Sequence, residues 1–169
     1  MAQPITRPRR ADRSMPDDAA IEAHLVKAPF GFIATSVDDE PYVVPRLFWY
    51  DNASRRIYFH SAHEGRTRRN VERNPRVCFA TGEMGRLLPA DVAGKFSVEY
   101  ASVVVFGRVK VLGDEKEKRH GLQGLLDKYF PRLESGKDYR PITEEEIDIT
   151  AVYAIDIEGW SGKQKVVKP

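Results

Sequence analysis

Arg56-Ile57-Tyr58-Phe59-His60-Ser61-Ala62-His63-Glu64-Gly65-Arg66-Thr67-Arg68-Arg69-Asn70 decides how this chain is read. Ile57 and Phe59 alternate with Tyr58 and His60, the period-two pattern of a strand. Ser61, Ala62 and Gly65 are small and let the backbone come close to anything resting on the turn. Arg66, Arg68 and Arg69 then open a basic helix, whose free N–H groups and dipole favour an anion at its start. Strand, small-residue turn and basic helix start together predict a site for a phosphate-bearing ligand.

Working outward, residues 30–36 and 42–50 read as two further strands. The turns Asp38-Asp39-Glu40-Pro41 and Asp51-Asn52-Ala53-Ser54 separate these three runs at hairpin spacing, which predicts an antiparallel meander. Asn74-Pro75 stops the basic helix. Residues 77–81 form a fourth strand, 82–95 an irregular loop, and 96–111 a long strand with a bulge or bend at Gly107. Leu122, Leu125, Leu126 and Tyr129 recur at helical spacing within 114–130. An acidic helix start, Thr143-Glu144-Glu145-Glu146, precedes a last strand over 151–158. Near the N-terminus, Ser14 is placed to cap a helix running to Lys27, with Pro16 and Asp17 in its first turn. The expectation is a mainly β chain with peripheral helices (α+β), six strands closing a small antiparallel barrel. Residues 1–13 are expected to be a flexible arm and 14–169 one domain.

The chain has 169 residues, 41% apolar and 31% charged, with a net charge of +2. That balance argues against a nucleic-acid partner, and no run is long enough to span a membrane. A basic but not apolar N-terminus predicts a cytoplasmic protein without a secretory leader. The single cysteine, Cys78, permits no intrachain disulfide and reads as a small buried residue.

Five pieces of sequence resemble the FMN-binding split barrels of the pyridoxamine 5'-phosphate oxidase-like superfamily, most closely its nitroimidazole-resistance branch. They are Arg9-Arg10-Ala11-Asp12-Arg13 with Met15, Val44-Pro45-Arg46-Leu47, Tyr58-Phe59-His60-Ser61-Ala62 with Glu64-Gly65-Arg66, Ser102-Val103-Val104-Val105-Phe106-Gly107, and Ile157-Glu158-Gly159-Trp160-Ser161-Gly162. The resemblance implies a homodimer with FMN at its interface. By position, the backbone of Pro45, Arg46, Leu47 and Phe48 would line the ring, and His60, Ser61 and Ala62 the ribityl chain and phosphate. Gly65, Arg66 and Thr67 would hold the phosphate, Ser102 and Val103 would approach from the long strand, and Trp160, Gly162 and Lys163 would reach in from the partner subunit. Thr67 stands where the family often has lysine, so Arg68 or Lys163 is expected to compensate. The arginine-histidine tail of the true oxidases does not follow Trp160, an expectation against vitamin B6 oxidation.

A flavin asks for an anion clamp, a flat apolar slot and polar contacts at the ring edge. Arg66 is the expected clamp, because arginine can hold phosphate bidentately; Arg68 and Arg69 read as solvated. His60 is the catalytic candidate, able to give a proton to a substrate or to steady an anion. His63 reads as a surface residue, as do His24 and His120 on their helices, and no pair has metal-ligand spacing. The expected activity is reduction of a small electrophile such as a nitroaromatic. An F420- or haem-binding split barrel and a non-catalytic flavin module remain the alternatives.

Overall fold

The computed structural model describes Thr6 and residues 8–167. Seven strands, not six, make one antiparallel sheet: β1 (Gly31–Val37), β2 (Glu40–Arg46), β3 (Trp49–Asp51), β4 (Arg56–Ser61), β5 (Arg76–Leu88), β6 (Ser97–Val111) and β7 (Ala151–Lys165). Four α-helices accompany them, α1 (Asp18–Lys27), α2 (Arg66–Arg73), α3 (Glu115–Tyr129) and α4 (Glu144–Asp148). None is long and apolar enough to cross a membrane.

The strand order is β2-β1-β5-β6-β7-β4-β3, so the expected meander is not formed. β1 and β2 are a hairpin whose turn residues Asp38 and Asp39 both have positive φ, as tight hairpin turns require. The run expected as one strand over 42–50 breaks at Leu47-Phe48, and its halves lie on opposite edges of the sheet. Only two residues join Arg46 on one edge to Trp49 on the other, a reach of roughly 10 Å. The sheet must therefore curl until its edges approach. The expected loop over 82–95 is mostly strand as well: β5 continues to Leu88 against β6, with Arg86 paired to Glu99 across the ladder at 2.8 Å.

The barrel interior holds Ile33, Phe48, Ile57, Phe59, Phe79, Val103, Val105, Tyr153 and Ile155, all essentially inaccessible. Phe48 meets Phe79 edge-on at 4.7 Å, and Phe59 stacks on Tyr153 at 4.7 Å. α3 covers the opposite side of β4 and β7, over Tyr58, Leu112, Val152 and Ala154. α1 closes another side with Ile21 and Leu25, and its cap is Asp17, which accepts the Ala20 N–H at 2.8 Å. Ser14, the expected cap, instead bridges to Lys163 of β7. Cys78 is only half-buried, because it lies on the outward face of β5.

His24 departs from its expected surface position: it is 5% exposed, and its Nε2 has no hydrogen-bond partner among the described residues. Burial lowers its pKa, against the pull of the Glu83 carboxylate 3.8 Å away. Below the ordinary histidine value of 6.5 the unfolded chain therefore takes up a proton that the folded chain refuses. This contribution to stability is complete above that value and is lost as pH falls from there through the lowered folded-state value. His24→Gln is expected to flatten the drop in urea midpoint between about pH 7 and about pH 5. An unchanged slope would assign the acid sensitivity to other groups.

Candidate functional site

The turn between β4 and α2 has the predicted form. Gly65 caps α2 at φ +134°, and no side chain caps the helix. Arg69 makes the first intrahelical bond, to the Gly65 carbonyl at 3.1 Å, which leaves the N–H groups ahead of it without a helical partner. Into this corner reaches the side chain of Arg46 from the end of β2. Its Nη2 donates to Ser61 Oγ and to Thr67 Oγ1, each at 3.2 Å. Its Nε is buried with no acceptor among the described residues, and so is the Tyr153 hydroxyl. Burial raises the Tyr153 pKa, while Arg68 and Arg46 pull it back down. An unpaired buried N–H costs about 1–3 kcal/mol. Two orphaned buried groups beside an uncapped helix start make a cradle for an anion with several acceptor oxygens.

Arg66, the expected clamp, is turned away. It pairs with Glu40 Oε2 at 3.0 Å and lies over the Tyr42 ring at 4.7 Å. Arg68, expected in solvent, is half-buried and pairs with Glu72 at 2.5 Å, on the wall of a small polar depression with His63, Gly65 and Arg69. Arg46, for which only a backbone role was expected, brings a positive charge within hydrogen-bond reach of Thr67. A side chain arriving from another strand end leaves no local signal in the sequence.

On the other face of β4, His60 stands beside an apolar cavity of about 800 Å³. Leu47 flanks it there. The cavity lies between α3, with Leu122, Leu126 and Tyr129 and with Phe130 just past its end, and the segment 139–150. His60 makes no hydrogen bond among the described residues. Its side chain remains solvent-exposed, and desolvation, then the Arg46 charge, hold its pKa below the ordinary histidine value. Phe48 is unavailable to a ligand: its N–H donates to the Tyr129 hydroxyl at 3.0 Å, its carbonyl lies 3.1 Å from the same hydroxyl, and its ring is core.

The remaining expected residues separate by face. The register Pro45-Phe32-Ala80-Val104-Ser161 forms one row across β2, β1, β5, β6 and β7, and Val43-Ala34-Cys78-Phe106-Gly159 forms the next. These rows face outward, with Phe32 43% and Val43 57% exposed. Ser102 and Lys163 lie on the same face, around a hollow that Pro8 and Arg9 partly cover. Val103 points into the core. Gly162 is packed under Met15 and Ile21. Trp160 donates to Asp18 at 2.8 Å and lies under the Arg55 guanidinium at 4.5 Å. Ala62 is exposed on the turn. Within one protomer, then, the anion cradle, the His60 cavity and the outward face are three separate surfaces that adjoin along β2 and β4.

No curated protein matches this chain. Among solved structures, the flavocytochrome Anf3 from Azotobacter vinelandii is 26% identical with a TM-score of 0.80, over 96% of this chain and 74% of that one. A candidate 5-nitroimidazole antibiotic resistance protein from Bacteroides thetaiotaomicron VPI-5482 is also 26% identical, with a TM-score of 0.75, over 89% and 86%. The FAD and haem binding protein from Mycobacterium smegmatis shares the fold at a TM-score of 0.82 and 20% identity, over 93% and 75%. Residues 17–164 match the pyridoxamine 5'-phosphate oxidase family model. Because that match spans most of the chain, the chain belongs to the pyridoxamine 5'-phosphate oxidase family.

Proposed function

We propose that this protein is an FMN-dependent oxidoreductase that works as a homodimer and reduces a small electrophile of the nitroaromatic kind. The observation that carries the reading is the buried, unpaired Nε of Arg46 beside the uncapped start of α2. A phosphate monoester offers that corner the acceptors it lacks. Arg46, Ser61, Thr67 and the α2 N–H groups would hold the phosphate, with Arg68 adding charge. A flavin supplies reversible two-electron transfer when bound. The chain contributes position and proton placement: a neutral His60 offers one N–H to an acceptor atom of the substrate without adding charge.

The homodimer is supported by the outward rows, where exposed Phe32 and Val43 lie with half-buried Val104 and Phe106 on one apolar face. A second copy on that face would bury it and bring Pro45, Ser102 and Lys163 into a shared interface. Trp160 and Gly162 are held by α1 of their own chain, and this reading gives them no ligand contact.

Purified protein titrated with FMN, FAD, F420 and haemin in parallel tests the cofactor. Uptake of FMN in preference to the others, a dimer by sedimentation, and reoxidation of the anaerobically reduced protein by a nitroarene are the expected results. A chain that takes up no FMN sinks the proposal. A preference for FAD, F420 or haemin replaces the cofactor.

A further inference from the structure

The anion cradle adjoins the polar depression walled by His63, Glu64, Gly65, Arg68, Arg69 and Glu72. Gly65 belongs to both, as the cap of α2 and as part of the depression's wall. The two surfaces differ in charge. The cradle gathers donors: Arg46 Nε and the Tyr153 hydroxyl, both buried without a partner among the described residues, and the free N–H groups at the start of α2. The contacts that Arg46 does make are to hydroxyls, not to carboxylates. The depression is balanced instead. Glu64 and Glu72 match Arg68 and Arg69 in number, and Glu72 Oε1 accepts from Arg68 Nε at 2.5 Å. At about 470 Å³ the depression has room for a phosphate, so charge and not space decides what it takes.

We propose that Glu72 makes this site choose a flavin mononucleotide over a dinucleotide, by engaging the Arg68 guanidinium that a second phosphate would need. The inference deepens the proposed function and rests on it for the position of the first phosphate. A phosphate monoester carries up to about two negative charges near pH 7 and three terminal oxygens, which suits the donors of the cradle. In a dinucleotide each phosphate is a diester with less charge and fewer terminal oxygens, and the second must lie on the surface next to the cradle. Arg68 can serve that second phosphate only by giving up Glu72. The displaced carboxylate would then face the phosphate across the depression, like charge against like. A monoester meets neither cost. Glu72 sits one turn after Arg68 on α2, so the pair forms within the helix and needs no other element. It is a positioning residue, which acts on the ligand through Arg68.

Calorimetric titration of the full chain with FMN and with FAD tests it. The parent chain should bind FMN roughly tenfold or more tightly than FAD. Glu72→Gln keeps the size of a side chain that is exposed on its helix, and its fold is checked by circular dichroism. It should tighten FAD by roughly five- to tenfold and FMN by less than about threefold. Adding Arg68→Ala to Glu72→Gln should remove that gain, which a purely structural role for Glu72 would not do. A ratio of the two affinities that stays put in Glu72→Gln, a gain that survives Arg68→Ala, or a parent chain that prefers FAD overturns the proposal. The parent chain's FMN isotherm tells the two failures apart. Absence of FMN binding removes the proposed function and this inference with it, whereas FMN binding with an unmoved ratio removes this inference alone.

Discussion

Arg46→Met is expected to weaken FMN binding between roughly tenfold and a hundredfold while leaving the fold intact. The size follows from the removal of charge-assisted donors from a phosphate, each worth more than a neutral hydrogen bond. The intact fold follows from the geometry of the free chain. Arg46 brings a buried Nε with no acceptor among the described residues, so the unliganded protein already bears a cost that methionine lifts, while the stem keeps its packing. The two hydroxyls it touches, Ser61 and Thr67, can turn to water or to the helix start. The decisive contrast is Arg66→Ala. Arg66 is held by Glu40 and stacked on Tyr42, so its loss should change FMN affinity by less than about threefold, as removal of a surface ion pair would. Fluorescence titration of FMN against both variants measures this directly. Loss of FMN in Arg66→Ala with retention in Arg46→Met would mean that the cradle has been drawn around the wrong guanidinium.

The same pair shows what the sequence could and could not tell. The strand, turn and helix from Arg56 onward are local, set by alternation, small residues and Pro75, and each formed where expected. Which arginine faces the helix start is not local, because it depends on Glu40 and Tyr42 from a neighbouring hairpin and on where β2 ends. That end was hidden too. Leu47-Phe48 continues an apolar, β-favouring run, and what detaches Phe48 from strand pairing is the hydroxyl of Tyr129, far along the chain on α3. The halves of this one apparent strand therefore read as neighbours, although they lie on opposite edges of the sheet. His24 sat on a helix with little amphipathic contrast, so periodicity did not show which way it faced. The length of β5 is not legible because Gly82, Glu83, Gly85 and Arg86 are exposed and polar, and mask the alternation of a stretch that pairs on one side only. The bulge at Gly107, by contrast, was legible, since glycine in the middle of a β-branched run has few other reasons to be there.

A side chain at that glycine is expected to cost a large share of the fold's stability. β6 and β7 pair over twelve positions, from Tyr100 with Lys165 to Val111 with Tyr153, and the register slips once, between Phe106 and Gly107, where β7 passes over Glu158. A Cβ at Gly107 would lie 2.2 Å from the carbonyl oxygen of Asp156 and 3.0 Å from Ile155 Cγ2. The first obstacle is backbone, so no rotamer change relieves it. The strands cannot part locally, because Val105, Val109 and Ile155 on either side are locked in the core. Moving Asp156 would also disturb its contacts with Arg56, at 2.6 Å, and Lys110, at 2.5 Å. Gly107→Ala is therefore expected to cost about 3 kcal/mol or more, a fall in melting temperature of roughly 6–12 °C for a chain of this size. Gly94→Ala is the control: nothing lies within 4 Å of its Cβ position, and its effect should stay within about 0.5 kcal/mol. Thermal melts of the two variants side by side settle the matter, and a Gly107→Ala chain that melts with its parent would show that the ladder yields at its bulge instead of being pinned there.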